Sequence, residues 1–303
     1  MGVRSVLVLF VLLVGCPSGA PLPALERPDS MPSLDDDDSG DDSGDDDDSG
    51  DDDSGDDDDD DGDNDTGDDD DSTGDDDDST AALPCPAGMV VVEPSDSATF
   101  CVDPFEGALE VEVNGAWQPR SPYDALGAGE VVRAVPADGI VPQSSISGVE
   151  AEAACATVGK RLCTSAEWLT ACQGPSDWTW PYGAAHIDGA CNDTYPGTHP
   201  VVDFFGTNVG IWNPTSMNDP GINQQADTVE PGGSHNDCVS AWGAYDMHGN
   251  LHEWVSDSDG TFRGGFFADA NLNGPGCTYA TTAHGFGYHD YSTGFRCCAD
   301  AGP

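Results

Sequence analysis

Basic residues are scarce: eight Lys and Arg stand against 58 Asp and Glu in 303 residues, a formal net charge of −50. So acidic a chain repels phosphate backbones and anionic headgroups, which excludes nucleic acid and acidic membrane surfaces as partners. A long hydrophobic run is missing as well. The apolar stretch Val6 to Val14 falls short of the ~20 residues that cross a bilayer. Preceded by Arg4, it has the length and flank of a signal-peptide core, and it marks the chain for export. The first eighty residues also lack tryptophan: all seven lie after Thr80.

What stands there instead is aspartate. Of the 58 acidic residues, 29 fall between Asp35 and Asp78, in runs punctuated by Ser-Gly. With nothing apolar to bury, such a segment cannot offset the entropy of ordering and reads as an extended, self-repelling tether. Calcium buffering is the other use of an Asp run, but tight calcium sites need fixed loop geometry as well as charge. Ahead of the tether, Leu13-Val14-Gly15-Cys16 resembles the lipobox of bacterial lipoproteins, which implies cleavage before Cys16 and lipidation of its thiol. The membrane is then reached through a lipid anchor and not a span. Pro17, where an Asp would signal inner-membrane retention, tilts the expected location in the cell envelope toward the outer membrane. The domain plan is a signal peptide at 1–16, an acidic low-complexity tether at 17–80 and a globular domain at 81–303.

The globular part holds ten of the eleven cysteines, an even set that in an exported chain argues for disulfides over thiol chemistry. Short apolar or alternating runs at Met89 to Val92 and Leu109 to Val113 read as strands. Two stretches read as helices. Ser147 to Gly159 and Thr164 to Cys172 each open with a hydroxyl residue and carry a Glu three positions on, the spacing of a capping box. Two helices among short strands and disulfide-tied loops make an α+β domain.

Several motifs occur in one order: PQSSISGVEAEAACATVGKRLCTSAEWLTAC at Pro142 to Cys172, GAYDMHGNLHEWVSD at Gly243 to Asp257, RGG at Arg263 to Gly265 and GFRC at Gly294 to Cys297. In this the sequence from about 85 to 303 resembles the formylglycine-generating enzyme, or sulfatase-modifying factor, domain family. The resemblance implies a loop-rich, disulfide-tied variant of the C-type lectin fold. It also implies a structural calcium ion in the loop YDMHGNLHEW, with side-chain ligands from Asp246 and Glu253 and main-chain carbonyls from Gly249 and Leu251. That chemistry is sound in itself, because calcium takes six to eight oxygens and a Gly-Asn turn lets carbonyls point inward between carboxylates. A zinc site at His248 and His252 is disfavoured, since Gly249-Asn250 breaks the helix that such a pair would need. A second family calcium site corresponds to Asn192 and the carbonyl of Asp193. Its other ligands fall in an insertion, Pro200 to Asp227, where Asp203, Asn218 and Asp219 are on hand.

Active members of the family oxidise a substrate cysteine to formylglycine with oxygen and a copper ion held by two cysteines. The matching positions after RGG are Asp269 and Gly274, so copper is not expected here: Cu(I) needs soft thiolates. Phe266 replaces the family's serine, and His252 its tryptophan. The resemblance pairs Cys155 with Cys297 and Cys172 with Cys277. For the other six we pair Cys85 with Cys101, Cys163 with Cys298 and Cys191 with Cys238, each tying segments that the motifs bring together, although six cysteines admit many connectivities.

Two functional readings follow. In the first, a calcium-stabilised binding or structural module meets a surface protein or glycan, using aromatics at Trp178 to Tyr182, Trp212 and Trp242 that could stack on a ligand. In the second the domain is an oxidoreductase, either of the family's own kind or with a metal held by His284 and His289 beside Asp290 and Tyr291.

Overall fold

Residues 85–302 are described by a computed structural model; the expected signal peptide, lipidation at Cys16 and acidic tether fall on residues outside them. Two helices begin where the sequence supplies reciprocal caps. Helix α1 (Gly148–Thr157) starts after Ser147, whose Oγ accepts from Glu150 N at 3.3 Å while Glu150 Oε2 accepts from Ser147 N at 2.9 Å. Helix α2 (Ser165–Gln173) repeats the device with Thr164 and Glu167. Each box satisfies two orphan donors and contributes on the order of 1 kcal/mol. The helices then bury small or aromatic faces: Ala151, Ala154 and Cys155 in α1, and Trp168, Ala171 and Cys172 in α2.

Three small sheets complete the frame. The first runs in the order β1 (Val90–Val92), β2 (Phe100–Val102), β11 (Cys297–Asp300) and β6 (Arg161–Leu162). The second has β10 (Thr293–Phe295), β7 (His252–Trp254), β8 (Phe262–Arg263) and β9 (Ala280–Thr281), with β10 parallel to β7. In the third, β3 (Gly107–Val113) lies between β4 (Ala116–Pro119) and β5 (Val132–Pro136). Strands β10 and β11 are separated by Arg296 alone yet belong to different sheets, so that one residue is the hinge between two layers.

All ten cysteines of this region are paired: Cys85–Cys101, Cys155–Cys297, Cys163–Cys298, Cys172–Cys277 and Cys191–Cys238. Two of these bonds fasten neighbouring residues of β11, one to α1 and one to the residue after β6. The insertion 200–227, which the sequence left without structure, forms α3 (Pro200–Phe205), α4 (Pro214–Met217) and a 3-10 turn at Ile222–Gln224. Val201 and Ile222 from it join Leu251, Phe267 and Tyr291 in a core cluster of their own. The arrangement is α+β, as the pattern of elements suggested.

Replacing Cys155 and Cys297 together by Ala leaves Cys163–Cys298 closing nearly the same stretch of chain and is expected to cost about 2–3 kcal/mol, read as a lower urea midpoint.

Candidate functional site

The segment Tyr245–Trp254 is built around a tight reversal. Asp246, Gly249 and Asn250 all take positive φ, at 56°, 80° and 55°. A Cβ on Gly249 would stand 2.1 Å from the carbonyl oxygen of Asn192, so only glycine permits this approach. Asn250 then ties three segments together: its Nδ2 donates to Glu106 Oε2, and its Oδ1 accepts from Glu230 N at 2.9 Å and Asn192 Nδ2 at 3.0 Å. Leu251 N donates to the other oxygen of Glu106 at 3.0 Å.

Behind the turn lies an ion-pair network without water access. Arg296 donates to Glu253 at 2.8 Å and 3.0 Å, to Asp103 O at 2.8 Å and to Tyr245 O at 2.7 Å. Trp168 Nε1 donates to Glu253 Oε2 at 2.7 Å. Two further buried carboxylates, Glu106 and Asp246, lie close enough to feel the charge of this guanidinium without bonding to it. Burial, reinforced by the neighbouring carboxylates, pushes Glu106 well above the usual carboxylate range. Burial likewise pushes Asp246 up to about 6, although a hydrogen bond from Gly233 N opposes it.

Were all three ionised, they would outnumber the one guanidinium, a surplus of negative charge that a divalent cation would neutralise. Among the described residues, the Gly249 and Leu251 carbonyls accept no hydrogen bond. Asp246 and these two carbonyls are oxygens of the kind that a hard cation takes, whereas Glu253 already spends its oxygens on Arg296 and Trp168. At the second expected site, Asn192 spends its Nδ2 on Thr228 O and Asn250 and its carbonyl on Asn250 N. Asp203 bonds Tyr195 and Thr198, Asn218 bonds His289, and Asp219 bonds Gly221 N.

On the other side of the turn a cleft of about 320 Å³ opens between β7, β8 and the loop 281–292. His252 lies at its base. Ser292 Oγ donates to Asp290 Oδ1 at 2.7 Å and so accepts from His252 Nδ1 at 3.2 Å, which leaves Nε2 to accept from Tyr279 Oη at 3.1 Å. Burial holds His252 down at about 3, with His284 adding to the shift, and pushes Tyr279 up to about 12. A histidine so poor at taking a proton positions its neighbours and does not serve as a general base near neutrality.

Asp269, where the family has a copper ligand, lines this cleft and caps its own loop, accepting from Leu272 N at 3.0 Å. His284 lies flat on Tyr288 with ring centres 3.7 Å apart. His289 instead bonds Asn218 through Nδ1 at 2.9 Å, and among the described residues neither histidine joins a cluster of three side chains able to share an ion. The metal pair expected of them is thus not assembled, because one ring is spent on stacking and the other on the insertion. Of the aromatics singled out as stacking surfaces, Trp212 is exposed and Trp180 is buried. Pattern reading missed Tyr279 and Ser292, since neither stands in a motif and only the fold brings them to His252.

The family model for the sulfatase-modifying factor enzyme 1-like domain matches residues 111–301. Solved structures similar to this chain include PvdO from Pseudomonas aeruginosa, at 15% identity over 71% of this chain and 92% of that one, with a TM-score of 0.41. Treponema denticola variable protein 1 is 16% identical, covering 65% of this chain and 63% of that chain, with a TM-score of 0.29. The Major Tropism Determinant U1 variant is 16% identical over 73% and 54%, with a TM-score of 0.34. A search of the curated proteins finds no match.

Two measurements test this geometry. Arg296→Met strands buried carboxylates and is expected to cost about 3–5 kcal/mol in urea unfolding, with Arg296→Met/Glu253→Gln losing less than the sum of the single changes. His252 titrates at about 3 when folded and near 6.5 when unfolded. Its neutral burial therefore stabilises above pH ~6.5 and is lost as pH falls toward 3, by up to about 1.4 kcal/mol per unit. A His252→Gln variant should show a shallower fall of Tm on acidification.

Proposed function

Because the chain belongs to the sulfatase-modifying factor enzyme 1-like domain family, we propose that it is an envelope lipoprotein whose domain keeps the family scaffold as a calcium-stabilised binding module. The observation that carries this reading is the state of the cysteines. All ten between residues 85 and 302 are in disulfides, and the two positions of the family's copper ligands hold Asp269 and Gly274. Asp269 is a hard oxygen donor on the cleft wall, unsuited to Cu(I), and the cleft offers no thiolate in its place.

What the cleft does offer is suited to holding a ligand. The buried Tyr279 and Tyr291 form its floor, the stacked pair His284 and Tyr288 stands at its rim, and Asp269 and Asn273 supply polar contacts beside them. Apolar faces with a few fixed polar groups favour a sugar ring or a peptide turn, the classes that an envelope protein meets in glycans and surface proteins. Calcium in the turn at Asp246, Gly249 and Leu251 would hold that base rigid by neutralising the surplus carboxylates.

The test is an incubation of the full chain with copper, reductant, oxygen and a peptide of the form Cys-x-Pro-x-Arg, followed by mass measurement. An unchanged peptide is expected. A mass loss matching thiol-to-aldehyde conversion would restore the oxidase reading. In parallel, adding calcium to the chelator-stripped protein should raise the Tm of the wild type and leave that of Asp246→Ala unmoved.

A further inference from the structure

We propose that His186, Asp193 and His248 form a site for a divalent transition-metal ion of the zinc class, which takes His248 from the same turn as the calcium reading but shares no ligand atom with it, and which is independent of the binding-module reading. Among the described residues, this is the cluster in which one atom from each of three ligating side chains lies within 4.8 Å of the other two. Both imidazoles aim Nε2 at the same carboxylate oxygen: His186 approaches Asp193 Oδ2 at 2.8 Å and His248 at 3.3 Å. Around a tetrahedral zinc ion, with bonds of about 2.1 Å, ligand atoms stand about 3.4 Å apart. The two histidine-to-carboxylate separations are therefore close to the size of an ion's first shell.

The arrangement is held from outside as metal sites are. Thr194 Oγ1 donates to the second oxygen of Asp193 at 3.1 Å, and on the solvent side His186 Nδ1 lies 3.2 Å from Oδ1 of the exposed Asp188. Trp180 packs on both imidazoles, with ring centres 4.6 Å from His186 and 4.8 Å from His248. The disulfide Cys191–Cys238 joins the segment just before Asp193 to the one facing His248, where Cys238 Sγ lies 3.6 Å from the His248 carbonyl oxygen. Gly249 allows the two backbones to meet.

Without an ion the cluster is an awkward set of hydrogen bonds. Both rings must carry a proton on Nε2 to meet one oxygen. His248 is fully buried, and its Nδ1 has no partner among the described residues. Two nitrogens and one carboxylate suit zinc or iron(II) and suit calcium poorly. His186 is the solvent-side ligand, with a side chain 32% exposed, which leaves the fourth position open to water or to a small anionic ligand such as a carboxylate, the open pattern of catalytic zinc sites.

The test uses the full chain, stripped with chelator and titrated with cobalt(II) in excess calcium, so that the acidic tether is already occupied. One cobalt per chain is expected, with the intense visible bands of a four-coordinate nitrogen-ligated ion, and one equivalent of zinc should remove them. His186→Ala, on the solvent side of the cluster, should abolish the bands. Absence of bands in the wild type, or the same bands in His186→Ala, overturns the proposal.

Discussion

One buried guanidinium organises this domain. Arg296 lies at the single-residue hinge between β10 and β11, and its donors reach Glu253 on β7, the Asp103 carbonyl after β2 and the Tyr245 carbonyl at the head of the turn. Glu253 in turn receives the indole of Trp168 from α2. Two sheets, one helix and the functional turn thus share a charge that has no water to fall back on. Buried pairs of this kind add little net stability against an apolar replacement, and they act by fixing geometry. Only one way of stacking these elements leaves none of the groups stranded.

That constraint sets what the turn can present. Held at Glu253 behind and pinned through Asn250 in front, the loop sends His248 to Asp193 and Trp180 on one side and His252 to Ser292 and Tyr279 on the other. Histidines four apart would share a face on a helix. The left-handed residues at 249 and 250 divide them, so one belongs to a polar cluster of metal-ligand type and the other to the base of an aromatic cleft. A small stretch of backbone thereby serves two sites of different chemistry.

The parts legible in the sequence were those governed by local rules. Both capping boxes form at the serine and threonine that announce them, and the runs at Met89 and Leu109 lie in or beside strands. That Asp269 and Gly274 follow the RGG motif at four and nine residues could be counted from the sequence. The insertion was opaque because α3 and α4 are one or two turns long, too short to show a period. They are fixed by prolines at their starts and by packing on the domain.

Side-chain partnership is where local reading stopped. His284 and His289 look like a pair in one dimension, but stacking on Tyr288 and bonding to Asn218 part them. Glu106 shows no signal at all, yet it is fully buried and accepts from both Asn250 Nδ2 and Leu251 N. By itself the sequence determined where helices start, the even cysteine set and the absence of a thiolate pair, because these depend on residue identity at short spacing. Which carboxylate faces Arg296, and which histidine meets which partner, was decided only by the tertiary structure, because those contacts join residues far apart in the chain whose burial makes an unpaired polar group too costly to leave.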